Sequence, residues 1–96
     1  MLEVIYHGHA CVEISSTHGS LLIDPFITGN PLSDITLEDL TKKPLTHICI
    51  THGHGDHVGE VIELVRMFPE VEVITVYGLE EYLRTQGVVK VQGFGI

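Results

Sequence analysis

The segment Thr51-His52-Gly53-His54-Gly55-Asp56-His57 carries three imidazoles and one carboxylate within the six positions 52–57. Histidine nitrogen and aspartate oxygen together make the donor set that zinc, manganese or iron accepts. Gly53, Gly55 and Gly59 allow backbone angles that bring alternate side chains towards a common point at little steric cost. A single histidine in a loop is ordinarily a solvated or capping residue, which is how His18 and His47 read. Four donor side chains on one glycine-rich turn would pack badly as core, and as surface they have no rationale. The spacing therefore predicts a metal site made by His52, His54, Asp56 and His57.

Such a turn needs elements on both sides to hold it. Residues 45–51 read as a strand whose Ile48-Cys49-Ile50 centre is apolar on both faces, as in a strand covered on two sides. It runs directly into the histidine run. Residues 58–68 follow with Val61, Ile62, Leu64, Val65 and Phe68 at helical spacing, with Glu60, Glu63 and Arg66 outward, and Pro69 ends the pattern. The donor run thus lies at the carboxyl end of a strand, where ligands bind in open α/β sheets. Upstream, residues 2–7, 11–15 and 21–23 predict three short strands in a meander, with Val12 and Ile14 on one face of the second and Glu13 on the other. Residues 26–43 read as a loop carrying one helical turn at 36–40, where Thr36 and Asp39 resemble a capping box. Downstream, a strand at 71–76, a helix at 79–86 closed by Gly87, and a last strand beginning at 88–91 complete a strand-helix alternation. That alternation favours parallel pairing with right-handed crossovers. The expected fold class is α/β with a mixed sheet.

Composition narrows the function classes. Ninety-six residues, 44% hydrophobic and 19% charged, suit one small globular domain over residues 1–96. Five basic against thirteen acidic residues give a formal charge of -8, which repels a phosphate backbone and disfavours nucleic-acid binding. The start Met1-Leu2-Glu3 lacks a basic leader, and no apolar run is long enough to span a bilayer. A cytoplasmic location and no membrane partner are the expectations. Cys11 and Cys49 fall in apolar strands and read as small buried hydrophobes rather than a disulfide framework.

The ordered motifs carry a family resemblance. His52-x-His54-x-Asp56-His57 after an apolar strand resembles the signature of the metallo-β-lactamase superfamily. His7-Gly8-His9-Ala10-Cys11, Ile23-Asp24-Pro25-Phe26 and Thr28-Gly29-Asn30-Pro31-Leu32 are similar to one branch of it, the small metal-dependent hydrolases related to ascorbate-6-phosphate lactonase. The likeness runs over nearly the whole chain. It implies two cations, with His52 and His54 on the first and Asp56 and His57 on the second. It also makes Asp56 an orienting catalytic residue. Zinc suits these donors, and manganese or iron remain open. The implied reaction is hydrolysis of a small-molecule ester, lactone, amide or phosphoester by hydroxide from a water acidified between the cations. Asp24 matches an aspartate that supports the metal loop, although a strand-end turn residue before proline is an equal reading. His9 matches a histidine near the mouth of the site, with a plain polar turn residue as its alternative.

The resemblance also implies a fold larger than this chain, a four-layer αββα sandwich of two similar halves. Here one half is matched, a sheet with helices on one face. The family takes further ligands from its second half, whereas no histidine follows His57 and no aspartate follows Asp56. The expectation is therefore an N-terminal half, truncated from a longer product, whose site is completed by the missing C-terminal half or by association into a homo-oligomer. The other reading is a non-catalytic metal-binding or assembly module. An RNA-processing nuclease of the same superfamily shares the histidine string, but the acidic charge speaks against it.

Overall fold

The computed structural model describes residues 2–8, 10–25, 27, 30, 32, 45–51, 60–76 and 78–94. Within them the chain forms strands β1 (Glu3–Gly8), β2 (Cys11–Ser16), β3 (Gly19–Ile23), β4 (Leu45–Ile50), β5 (Glu72–Val76) and β6 (Val91–Phe94). Helix α1 (Val61–Met67) lies between β4 and β5, and α2 (Leu79–Thr85) between β5 and β6. All six strands join one sheet in the order β1-β2-β3-β4-β5-β6. The first three are antiparallel, as a meander of short turns requires, and the β3–β4, β4–β5 and β5–β6 pairings are parallel. The mixed α/β sheet expected from the alternation is present.

Side-chain alternation divides the sheet into two unlike faces. Leu22, Ile48, Val73 and Val91 pair in register across four strands. Val61 and Leu64 of α1 and Leu83 of α2 join Leu22, Ile48, Ile50 and Val73 in one buried cluster, so both helices cover the same face. The opposite face presents Tyr6, Val12, Ile23, Cys49 and Ile74 in adjacent registers. These are half-buried or exposed. Ile48 and Ile50 are thus fully enclosed while Cys49 between them is not, so the described residues cover the central strand on one side where the sequence suggested two.

Most boundaries lie within one or two residues of those expected, and the starts of α1 and β6 differ by three. Helix α1 begins at Val61 with Glu60 just before it, and positions 58 and 59 lie outside the described residues. The last strand starts at Val91 rather than at 88, because Gly87 and Val88 are taken up in ending α2. Gly87 adopts φ +95°, the Gly87 N–H donates to the Arg84 carbonyl and the Val88 N–H to the Leu83 carbonyl. This is the six-to-one and five-to-two bonding of a Schellman cap, with Val88 and Leu83 both buried as its apolar contact. The helical turn expected at 36–40 lies outside the described residues.

Candidate functional site

The metal ligands expected from the sequence, His52, His54, Asp56 and His57, lie outside the described residues, as does His9. Among the described residues no group of three or more His, Cys, Asp or Glu side chains is arranged to hold a metal ion. What the structure describes is the frame on both sides of the donor run. Its lower side is β4, which ends at Ile50 and leads through Thr51 to position 52. Its upper side is Glu60 and α1. In sequence the run follows the carboxyl end of β4, and the carboxyl ends of β1, β3 and β4 share one rim of the sheet.

Asp24 holds the lower side. It follows β3 with φ +48°, a left-handed conformation that aspartate tolerates better than most residues. That turn aims both its backbone and its side chain at β4. The Asp24 N–H donates to the Cys49 carbonyl at 2.8 Å, extending the β3–β4 pairing past the strand end. Its carboxylate accepts the Thr51 N–H at 2.7 Å through Oδ1 and the Thr51 hydroxyl through Oδ2. Asp24 is 2% exposed, so these charge-assisted bonds form away from water, where they bind strongly. Asp24 thus ties the end of β3 to Thr51, the residue that precedes position 52 in sequence.

The upper side is held by Glu60, read from the sequence as an outward helix residue. In the structure its carboxylate turns inward, and Oε1 accepts the Ile27 N–H at 2.7 Å. It makes no side-chain cap bond to its own helix. Helical periodicity could not reveal this, because Glu60 precedes the helix and its partner is 33 positions away in sequence.

The turn after β1 is joined to the same rim. Asn30, 6% exposed, donates through Nδ2 to the Gly8 carbonyl at 3.3 Å and accepts the Leu32 N–H at 2.9 Å. Gly8 adopts φ +104°, and a Cβ there would stand 2.6 Å from the Leu32 Cβ, so glycine is required both by conformation and by space. Just before it, His7 and Glu13 are buried together with His7 Nε2 2.9 Å from Glu13 Oε1. This places Glu13 on the helix-covered side and leaves Val12 and Ile14 on the open one. His18 is exposed in the β2–β3 turn, whereas His47 lies half-buried within β4, its Nδ1 2.8 Å from Thr46 Oγ1. One titration is clearly displaced at the rim, since partial burial, reinforced by the Asp24 carboxylate, pushes the Cys49 thiol up.

The donor types suit a divalent cation by their chemistry, imidazole nitrogens and a carboxylate, and the buried Asp24 carboxylate holds Thr51, the residue before the run. No helix among the described residues is long and apolar enough to cross a membrane. Comparison with known proteins gives the frame a context. A UPF0173 metal-dependent hydrolase of Enterococcus faecalis is 42% identical over 88 residues, covering 91% of this chain and 38% of the relative. Another from Geobacillus sp. is 44% identical over 87 residues, 91% of this chain and 37% of that one. The chain therefore spans well under half the length of the curated relatives it matches. Among solved structures, Igni18, a metallo hydrolase from the hyperthermophilic archaeon Ignicoccus hospitalis, superposes with a TM-score of 0.86 at 32% identity, over 99% of this chain and 40% of that one. CmlA, a diiron β-hydroxylase from Streptomyces venezuelae, does so with a TM-score of 0.75 at 28% identity, over 98% of this chain and 20% of the other. A family model described as the metallo-beta-lactamase superfamily matches residues 6–94. By sequence and by fold, the chain belongs to the metallo-beta-lactamase superfamily.

Proposed function

We propose that this chain is the metal-holding part of a metal-dependent hydrolase, with His52 and His54 as ligands of one divalent cation and Asp56 and His57 as ligands of a second. The reading is carried by the residue types and spacing at 52–57, a run that in sequence follows Thr51, which Asp24 grips, and precedes Glu60, which grips Ile27. Relatives named metal-dependent hydrolases support the class. Zinc is the first choice of cation for these donors, and a fold neighbour described as diiron keeps iron in the set alongside manganese.

Bound cations supply a Lewis acid and lower the pKa of a water towards neutrality. The chain's own residues do the rest. Asp56 orients the attacking water and accepts its proton, while the Asp24–Thr51 contact fixes the lower end of the run. The substrate is a small molecule with an ester, lactone or phosphoester bond, and a formal charge of -8 turns nucleic acid away. A cytoplasmic location belongs to the same reading.

The test is a screen of aryl esters, lactones and bis-aryl phosphodiesters with the zinc- or manganese-loaded chain, alone and joined to the remaining length its relatives possess. Hydrolysis that disappears in Asp56→Asn while the fold persists supports the proposal. Hydrolysis unaffected by Asp56→Asn contradicts it. A second reading is a metal-binding module without turnover. Metal uptake without hydrolysis in either form would select it.

A further inference from the structure

We propose that Glu60 is a positioning residue for the metal loop, locking its exit to the same short segment through which Asp24 locks its entrance. The inference rests on the metal-binding reading above and adds to it a residue that the motif does not contain. Asp24 and Ile27 stand three positions apart, and Asp24 is followed by the buried Pro25, whose ring fixes its own φ. Asp24 binds Thr51, and Ile27 binds Glu60. Asp24 and Ile27 therefore anchor one residue on each side, in sequence, of positions 52–59.

Glu60 is placed for this task rather than for helix capping. A carboxylate at the start of a helix ordinarily accepts N–H groups of its own first turn. Glu60 makes no such bond and spends Oε1 on a backbone donor from another part of the fold. Its Oε2 is enclosed as well, so the carboxylate points into the protein. Fixing both ends of a loop restricts the conformations open to it before any ion arrives. Ligands held near their bound positions bind with less ordering cost, which is how contacts behind a coordination sphere raise affinity. Asn30 stiffens the arrangement, since its N–H donates to the Ile27 carbonyl while its side chain reaches Gly8.

The experiment is a zinc titration of the parent chain, Glu60→Ala and Glu60→Gln in competition with a chromophoric chelator, with circular dichroism of each metal-free protein. Glu60→Ala is expected to weaken zinc binding by about 10- to 100-fold, the usual effect of losing a contact behind the ligands. Glu60→Gln keeps an oxygen acceptor for the Ile27 N–H and is expected to bind nearly as the parent does. Equal affinity in Glu60→Ala and the parent overturns the inference. So does a loss in Glu60→Gln as large as in Glu60→Ala, because the charge rather than the hydrogen bond would then be acting. Should Glu60→Ala not fold, amide exchange at Ile27 in the parent decides. Slower exchange on adding zinc supports the inference, and unchanged exchange overturns it. A folded parent chain that takes up no zinc overturns the metal-binding reading itself, an outcome distinct from these.

Discussion

At the scale of single residues, the candidate site depends on a few buried polar contacts that join segments far apart in sequence. Asp24 makes three of them, from its own N–H and from both carboxylate oxygens. Asp24→Ala leaves the Thr51 N–H and hydroxyl to find new acceptors, and is expected to destabilise the chain by about 1–3 kcal/mol in urea unfolding. Its neighbour Cys49 supplies a pH prediction. Burial, then the Asp24 carboxylate, raise the folded-state pKa above the unfolded value. The unfolded chain therefore releases this proton first as pH rises, so the contribution of Cys49 to stability is complete below the ordinary thiol range and declines above it. Alkylation by iodoacetamide should accordingly reach its half-maximal rate at a higher pH for Cys49 in the folded chain than in urea, and equal midpoints would contradict this. The proposed donor residues stand out in the sequence because metal chemistry confines such ligands to a few types at close spacing. Glu60 does not, since a glutamate beside a helix looks solvent-facing until its distant backbone partner is known.

At the scale of elements, periodicity revealed the strands and helices while their ends were set by capping and by turns. The apolar spacing of α1 is visible in Val61 and Leu64, both fully buried, with Glu63 and Arg66 exposed. The start of β6 was not visible, because the bond from the Val88 N–H to Leu83 belongs to the end of a helix and not to a strand pattern. Gly8 shows how a turn can carry more constraint than its sequence suggests. Gly8→Ala must take φ +104° and push against both the Cβ and the backbone of Leu32, which Asn30 holds in place. The expected cost is about 1–3 kcal/mol of backbone strain, with further loss from the clash. A melting temperature equal to that of the parent would show that the turn relaxes freely.

At the scale of the whole molecule, the sheet has one face beneath its helices and one without a cover among the described residues. Tyr6, Val12, Ile23, Cys49 and Ile74 form a continuous row there. Contiguous apolar surface of this kind marks an interaction site. We propose that the row packs against the further length that the relatives possess or, in its absence, against a second copy of the chain. Light scattering at micromolar concentration should then show a dimer or larger species, whereas a well-behaved monomer that stays monomeric with metal would contradict self-association. The alternation of β2 foreshadowed two unlike faces. Which of them carries the helices was not legible, because Glu13 lies on the helix-covered side with His7 and the apolar Val12 on the other.

The most direct test of the central claim is elemental analysis of the folded chain, purified without chelator and dialysed against zinc, beside the His52→Ala/His54→Ala double variant. The account predicts near-stoichiometric metal in the parent and a large loss in the variant, with the sheet signal in circular dichroism retained by both. A folded parent free of metal, or a double variant that holds as much as the parent, would contradict the assignment of residues 52–57 as the metal loop.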